Sequence, residues 1–486
     1  MKPGQGIEKK EEAAMGKDAE TDYRGPGIRA ERTIGKYSER KMTRKGFLAR
    51  GGAFAFAAAV TGPGLTILSG CGGSASSEPL TFMQFYGPGG EVAPQSKWFE
   101  DLVKEWNGQN EAKVKLEYVP SPQYISGTKL QTAFSSGEGP DLFIISPGDF
   151  LRYYNGNVLE DLTPYMSKEA RDDFYPSVME TRTVDGKVYA LPMEVEPLAM
   201  YYGTKAFEEA GLSEADLPKT WDQLIDVADR LKTGDRYGVL FETAPGYYQN
   251  FTWYPFMWMA GGNAVSSNGK SSAFDSKGTV AALRFWQDTI ESRVAPRKAL
   301  GTGGGDLVAN LASGYCAIQN CGIWGVSELD ANAPDFEYGL FKLPLPPGGQ
   351  YTTDLGGWSF VANSQGKNPE AAGQFCAWAI GSMEEGARNR VLDWCTGVKS
   401  DIAPRRSVQE KAEKQGAFDE GPMKFFREEA FPGGRGEPRY TPEVYKAVSD
   451  ALQACQLDGA NPEEEAQNAA ETINEFLENY EGAKIV

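Results

Sequence analysis

The sequence predicts an α/β fold, and three features carry that prediction. Residues 78–146 alternate strand-like and helix-like segments in the order β-α-β-α-β, the pattern of an open sheet flanked by helices. Further on, an extended apolar run at 193–203 and amphipathic helical stretches at 217–231 and 461–480 continue both periodicities. Finally, 486 residues at 41% hydrophobic content can bury the cores of two or three domains.

"EPLTFMQFYG" (78–87) alternates and carries Phe82, Phe85 and Tyr86, which predicts a first strand. In "PQSKWFEDLVKEWNGQN", Trp98, Phe99, Leu102, Val103 and Trp106 fall on one helical stripe, with Asn107-Gly108 as its stop. "AKVKLEYVP" alternates again, placing Val114, Leu116 and Tyr118 on one face. "YISGTKLQTAFSSG" suits a short helix, and "PDLFIIS" a buried strand introduced by Asp141, whose place suits a turn or cap. "VDGKVYALP" reads as a hairpin turning at Asp185-Gly186. Thr220 followed by Gln223 forms a capping box for the next helix. Residues 246–262 are crowded with aromatic side chains. The last helix has Asn461 as its cap, Pro462 at its first position and acidic residues in its first turn.

A net charge of −18 repels nucleic acid, so no nucleic-acid partner is expected. The chain has no histidine, which removes Ser-His-Asp and Cys-His catalysis and His-ligated zinc or haem. Six cysteines are present, and Cys316 and Cys321 alone are close in sequence, a poor zinc signature. No cofactor is expected. "GTGGGDL" (301–307) lacks the spacing of a phosphate-binding loop and reads as a plain loop.

Residues 42–70 have the layout of a secretory signal: basic Arg44, Lys45 and Arg50, then an interrupted apolar stretch. Leu68-Ser69-Gly70-Cys71 resembles the bacterial lipobox, in which the cysteine thiol takes a diacylglycerol. Cys71 is then a lipid attachment point, and residues 71–78 a tether holding the chain to a membrane surface. "TRKGFL" resembles a twin-arginine export motif with lysine in the second place, which leaves the export route open. Residues 1–41 are mixed in charge and without periodicity; they are expected to be disordered, or to precede a true start at Met42.

A series of segments resembles the extracellular solute-binding proteins of family 1, the sugar-type receptors of bacterial ABC importers. They include "GEGPDLFIIS" (137–146), "NGNVLEDLTPY" (155–165), "DGKVYALP" (185–192), "YYGTKAFEEAGL" (201–212), "LASGYCAIQNCGIWGV" (311–326) and "GGWSFVANSQGKNPEAAGQFCAWAI" (356–380). The resemblance implies a two-lobed periplasmic-binding-protein fold, with discontinuous lobes that close on a ligand about a hinge. It places residues 79–191 with 344–395 in one lobe and 192–343 with 396–486 in the other. Crossings are then expected near Leu191–Pro197, Leu343–Pro347 and 396–404. The implied role is that of a monomeric, lipid-anchored receptor outside the cytoplasm. It captures a carbohydrate and delivers it to ABC permease subunits, without being an enzyme.

A sugar offers hydroxyls at its edge and C–H groups on its faces, so its receptor needs planar polar groups and aromatic rings. Trp258, Trp324 and Trp358 are candidates for the faces, each with core packing as its alternative. Glu194 and Glu196, two apart on an extended stretch, point to one side, as hydroxyl acceptors, as a hinge element, or as a structural pair. Ser146 and Asp149 follow a strand's C-terminal end, where open α/β sheets bind ligands, and Tyr86 is placed similarly. Asp354 and Arg405 complete the set. Arg405-Arg406 also suits a phosphate or carboxylate, which keeps a glycerol phosphate ester or other charged solute open as the ligand. A glycoside-active enzyme using Glu194 with a second acid, and a lipoprotein with no small ligand, are further alternatives.

Overall fold

The structure, a computed structural model, describes residues 78–486 apart from 91, 126 and 127. The signal, Cys71 and the tether before Glu78 lie outside the described residues. Strands β1 (Leu80–Gln84), β2 (Val114–Tyr118) and β3 (Leu142–Ile145) are parallel, with β1 in the middle. The helix Ala93–Gln109 joins β1 to β2 and buries the predicted stripe of Trp98, Phe99, Leu102, Val103 and Trp106. It runs past the predicted stop at Asn107-Gly108. The Asn107 side chain is bonded both ways to the Val114 backbone, at 2.7 and 2.8 Å, so it ties the helix end to β2 and leaves capping to Asn110. Asp141 is structural, as expected: its carboxylate accepts from Thr81 N–H at 2.9 Å and Lys367 N–H at 2.6 Å.

Strands β4 (Thr183–Val184) and β5 (Lys187–Val188) form the predicted hairpin. Asp185 and Gly186 have φ of 50° and 76°, the left-handed pair that a two-residue turn of this twist requires. After β6 (Leu191–Pro192) the chain enters the fully buried β7 (Glu196–Gly203) and then β8 (Tyr237–Leu240). Strands β9 (Cys316–Gly322), β10 (Tyr338–Phe341), β11 (Thr353–Gly356), β12 (Ser359–Ala362) and β13 (Gly434–Gly436) follow.

Two sheets result. One has the order β2-β1-β3-β12-β6, the other β13-β11-β7-β9-β8 with β10 also on β7. The chain changes sheets between β6 and β7, and back between β11 and β12. Strand β11 lies within 344–395, the stretch that the sequence reading gave to the first lobe, yet it pairs with β7 through Leu355 and Gly356. The return therefore falls at Gly356–Trp358. The prolines near Leu343–Pro347 instead lie along the second lobe, where the Leu345 backbone bonds Lys219 at 2.9 Å and Trp221 at 3.0 Å.

The remaining helices follow their local signals. Thr220 Oγ accepts the Gln223 N–H, as predicted, while the Gln223 side chain reaches one residue further back, to Lys219 N–H. Asn461 caps the helix Pro462–Leu477, whose Ala466, Ala469, Ile473 and Leu477 face the core. The aromatic-rich helix Tyr247–Met259 is mostly core, with Trp253 and Phe256 wholly buried. Five cysteines among the described residues are buried free thiols. No helix among them is long and apolar enough to cross a membrane.

Candidate functional site

Three connections between the sheets run side by side. Met193 N–H bonds Trp358 O at 3.0 Å, and Val195 N–H bonds Ile402 O at 2.9 Å. Alternation along this extended stretch sends Glu194 and Glu196 to the same side, where both meet Lys399. Glu194 joins all three connections. Its Oε1 accepts Trp358 N–H at 3.1 Å, and its Oε2 accepts Trp394 Nε1–H at 2.5 Å and Lys399 Nζ at 3.0 Å. Gly357 has φ of +116° and passes so close that an added Cβ would come within 2.5 Å of Glu194 O.

Lys399 is the centre of the cluster. Its ammonium faces Glu194, Glu196 and, at 3.5 Å, Asp401, and it also donates to the Tyr86 hydroxyl at 3.2 Å. Burial works against its charge, but the carboxylates of Asp401, Glu194 and Glu196 outweigh that and hold the amine protonated. Burial pushes the Glu196 carboxyl up to about 7, against the opposing pull of Lys399. Oxygens of Glu194, Glu196 and Asp401 lie within 4.8 Å of one another, close enough to hold a metal ion, but the Lys399 ammonium already reaches all three.

Beside this cluster opens a cavity of about 820 Å³. Both lobes line it. From the first sheet come Phe85 and Tyr86 after β1, Tyr118 at the end of β2, Ser146 and Asp149 after β3, and Trp358 before β12. From the second come Glu196, Tyr248, Phe251, Trp324 after β9, and Glu437 after β13. Trp324 rests against Tyr248 and Phe251, with ring centres 6.2 and 6.3 Å apart, and Trp358 against Phe85 at 4.8 Å. Both tryptophans keep part of their surface free. Glu242 is spent on the wall itself, accepting from the N–H groups of Thr243, Ala244 and Gly304 at 2.7–2.8 Å. It thereby pins the glycine-rich loop at 301–305, which is the plain loop that its spacing predicted.

Of the candidates named from sequence, Tyr86, Ser146, Asp149, Glu196, Trp324 and Trp358 line the cavity. Asp149 is held by Arg152 at 3.0 Å, which lines it too. Glu194 stands behind the wall. Trp258 lies in the core, stacked on Tyr254 at 5.7 Å and covered by the Arg435 guanidinium at 4.4 Å. Asp354 is fully buried on β11, where burial and neighbouring Glu437 push its carboxyl well up. Arg405 is fully buried elsewhere, bonded to Asp173 at 2.8 Å and to the carbonyls of Ile380 and Ser382. Sequence reading missed Lys399, Glu437, Tyr248 and Phe251. Only the last two left a signal, as members of the aromatic run at 246–262.

The family model of the bacterial extracellular solute-binding proteins matches residues 89–385, more than half of the chain. The arabinooligosaccharide-binding protein of Bacillus subtilis is 27% identical over 73% of this chain and 82% of its own length. The galactooligosaccharide-binding protein of the same organism is 24% identical over 79% and 87%. Among solved structures, an ABC transporter solute-binding protein of Thermotoga lettingae, bound with α-D-tagatose, superposes with a TM-score of 0.70. It is 23% identical and covers 82% of this chain and all of its own. Maltose-bound MalE3 of T. maritima gives 0.66, at 20% identity. These likenesses establish the two-lobed binding-protein fold, and with the family match they show that this chain belongs to the bacterial extracellular solute-binding protein family.

Proposed function

We propose that the protein is an extracytoplasmic receptor that captures a neutral oligosaccharide between its lobes and delivers it to the permease of an ABC importer. The observation that carries this reading is the pairing of half-exposed Trp324 from one lobe with half-exposed Trp358 from the other in a single cavity. Two rings supplied by separate lobes suit the C–H faces of a sugar chain, and the polar groups between them suit its hydroxyls. At about 820 Å³ the cavity has room for more than one sugar ring. The relatives named for arabino- and galactooligosaccharides support the same class.

A phosphorylated ligand is the weaker reading. Arg405, its sequence candidate, is committed to Asp173. Among the described residues, the two cations at the cavity, Arg152 and Lys399, are held by Asp149 and by Glu194 with Glu196. A glycosidase reading also loses support, because Glu194 is turned onto Lys399 and two N–H donors rather than towards the cavity. In the cell, Cys71 carries the lipid and the chain works as a monomer. Metabolic labelling with a fatty acid tests the anchor: C71A (Cys71→Ala) is expected to lose the label, and a variant still labelled would overturn it. Calorimetric titration with neutral di- and trisaccharides tests the receptor. Binding of a neutral sugar that glucose 6-phosphate does not displace supports it; binding of charged solutes alone overturns it.

A further inference from the structure

The helix Pro147–Asn155 begins at the cavity, and its first turn is bonded in an unusual way. Ser146 stands at the capping position, yet its hydroxyl accepts no N–H of the helix. Its Oγ is buried, lies on a cavity-lining residue, and has no hydrogen-bond partner among the described residues. The Gly148 N–H is satisfied from the other lobe instead, by Glu437 Oε1 at 3.2 Å. Glu437 follows β13, and its own N–H bonds Leu355 O at 3.2 Å, so it is anchored to the second sheet. One carboxyl oxygen therefore crosses between the lobes to the start of a helix whose serine hydroxyl is left over. A buried hydroxyl without a partner is costly, which makes this place incomplete as it stands.

We propose that Ser146 and Glu437 together form the subsite that reads a ligand hydroxyl, Ser146 through its unbonded Oγ and Glu437 through the carboxyl that reaches across from the second sheet. This rests on the carbohydrate reading above. A sugar hydroxyl both donates and accepts. Ser146 Oγ offers either function, and a protonated carboxyl offers a donor beside the oxygen that already serves Gly148.

The surroundings favour the neutral form. Facing Glu437 are Asp354 on β11, Asp149 on the helix, Glu196 on β7, the Tyr254 hydroxyl and the Arg182 guanidinium. Arg182 donates to Ser359 Oγ, Val178 O and Gly357 O, and no ion pair joins it to Glu437 among the described residues. Burial pushes the Glu437 carboxyl up to about 8, with Glu196 and Asp149 adding to it, against the opposing pull of the Arg182 guanidinium and the Gly148 N–H.

The test is calorimetric titration of the whole protein with neutral di- and trisaccharides of arabinose, galactose, glucose, mannose and xylose, at pH 6 and pH 9. With a carboxyl at about 8, only about one molecule in eleven is protonated at pH 9, so affinity falls about tenfold. E437Q, which stays neutral and keeps a donor and an acceptor, weakens binding less than E437A and abolishes the fall. S146A and E437A each weaken binding about tenfold or more, because a ligand hydroxyl loses its partner. Unchanged affinity in E437A, affinity rising with pH, or the same fall in E437Q would overturn the subsite. Failure of every neutral sugar to bind the parent protein would overturn the carbohydrate reading, and the subsite with it.

Discussion

Lys399 Nζ and Glu194 Oε2 are 3.0 Å apart, both side chains almost wholly out of solvent, where the three connections between the lobes meet. Such a pair adds little net stability over apolar packing, but removing one partner strands the other. Here the geometry adds a further role. Glu194 touches every strand of the hinge, and Lys399 reaches from it to Glu196 and Tyr86 on the cavity wall.

Lys399→Met is therefore expected to destabilise the protein by roughly 3–5 kcal/mol, since it leaves Glu194, Glu196 and Asp401 without a counter-charge. Urea unfolding followed by far-ultraviolet circular dichroism measures this. A loss below about 1 kcal/mol would contradict the role given to Lys399.

Stability should fall as pH rises from about 4.5 towards 8. Glu196 and Glu437 have folded-state pKa values of about 7 and about 8, above the ordinary 4.5. Between those values the folded state keeps protons that the unfolded chain has released, so the contribution is complete below 4.5 and lost as pH passes 7 and 8. Unfolding midpoints at pH 5, 6.5 and 8 should decrease in that order, with a shallower decline in E437Q. A midpoint that rises across the window would refute the assignment.

The tryptophans should separate into two kinds. Trp324→Ala and Trp358→Ala are expected to weaken sugar binding about tenfold or more, at modest cost in stability, because each side chain lines the cavity and is only partly buried. Trp258→Ala should cost roughly 3–5 kcal/mol of stability, as a buried ring beneath Arg435, while leaving affinity within about twofold. Titration and unfolding of the same three variants decide it, and a binding defect confined to the Trp258 variant would reverse the assignment.

Arg405→Ala should behave as a folding mutation. It strands half-buried Asp173, whose carboxyl backbone and side-chain bonds from Ser407 and the Arg405 guanidinium hold low, and it frees the carbonyls of Ile380 and Ser382. A loss of about 3–5 kcal/mol with unchanged affinity is the expected outcome. Altered ligand choice in this variant would contradict it.

Much of the fold was legible because its signals are local. The stripe from Trp98 to Trp106, the Asp185-Gly186 turn and the Thr220 and Asn461 caps each depend on residues within a few positions of one another. The second crossing was not legible. Leu343–Pro347 resembles a stiff connector, and only the pairing of Leu355 with Pro197 shows that the chain stays in the second sheet to Gly356. The site divides in the same way. Ser146, Asp149 and Tyr86 follow strand ends, a position that sequence periodicity reveals. Apart from Asp401, the carboxylates that Lys399 meets lie about two hundred positions away, and Glu437 meets Gly148 from about three hundred, distances that no local pattern reveals.

The central claim is that the cavity between Trp324 and Trp358 binds a neutral oligosaccharide. Thermal unfolding of the full-length protein with neutral oligosaccharides and with sugar phosphates tests it most directly. A neutral sugar at about 100 times its Kd should add roughly 2.7 kcal/mol to the folded state and raise the Tm, and that rise should disappear in the Trp324→Ala and Trp358→Ala variants. A rise produced only by sugar phosphates, or one that both variants retain, would contradict the account.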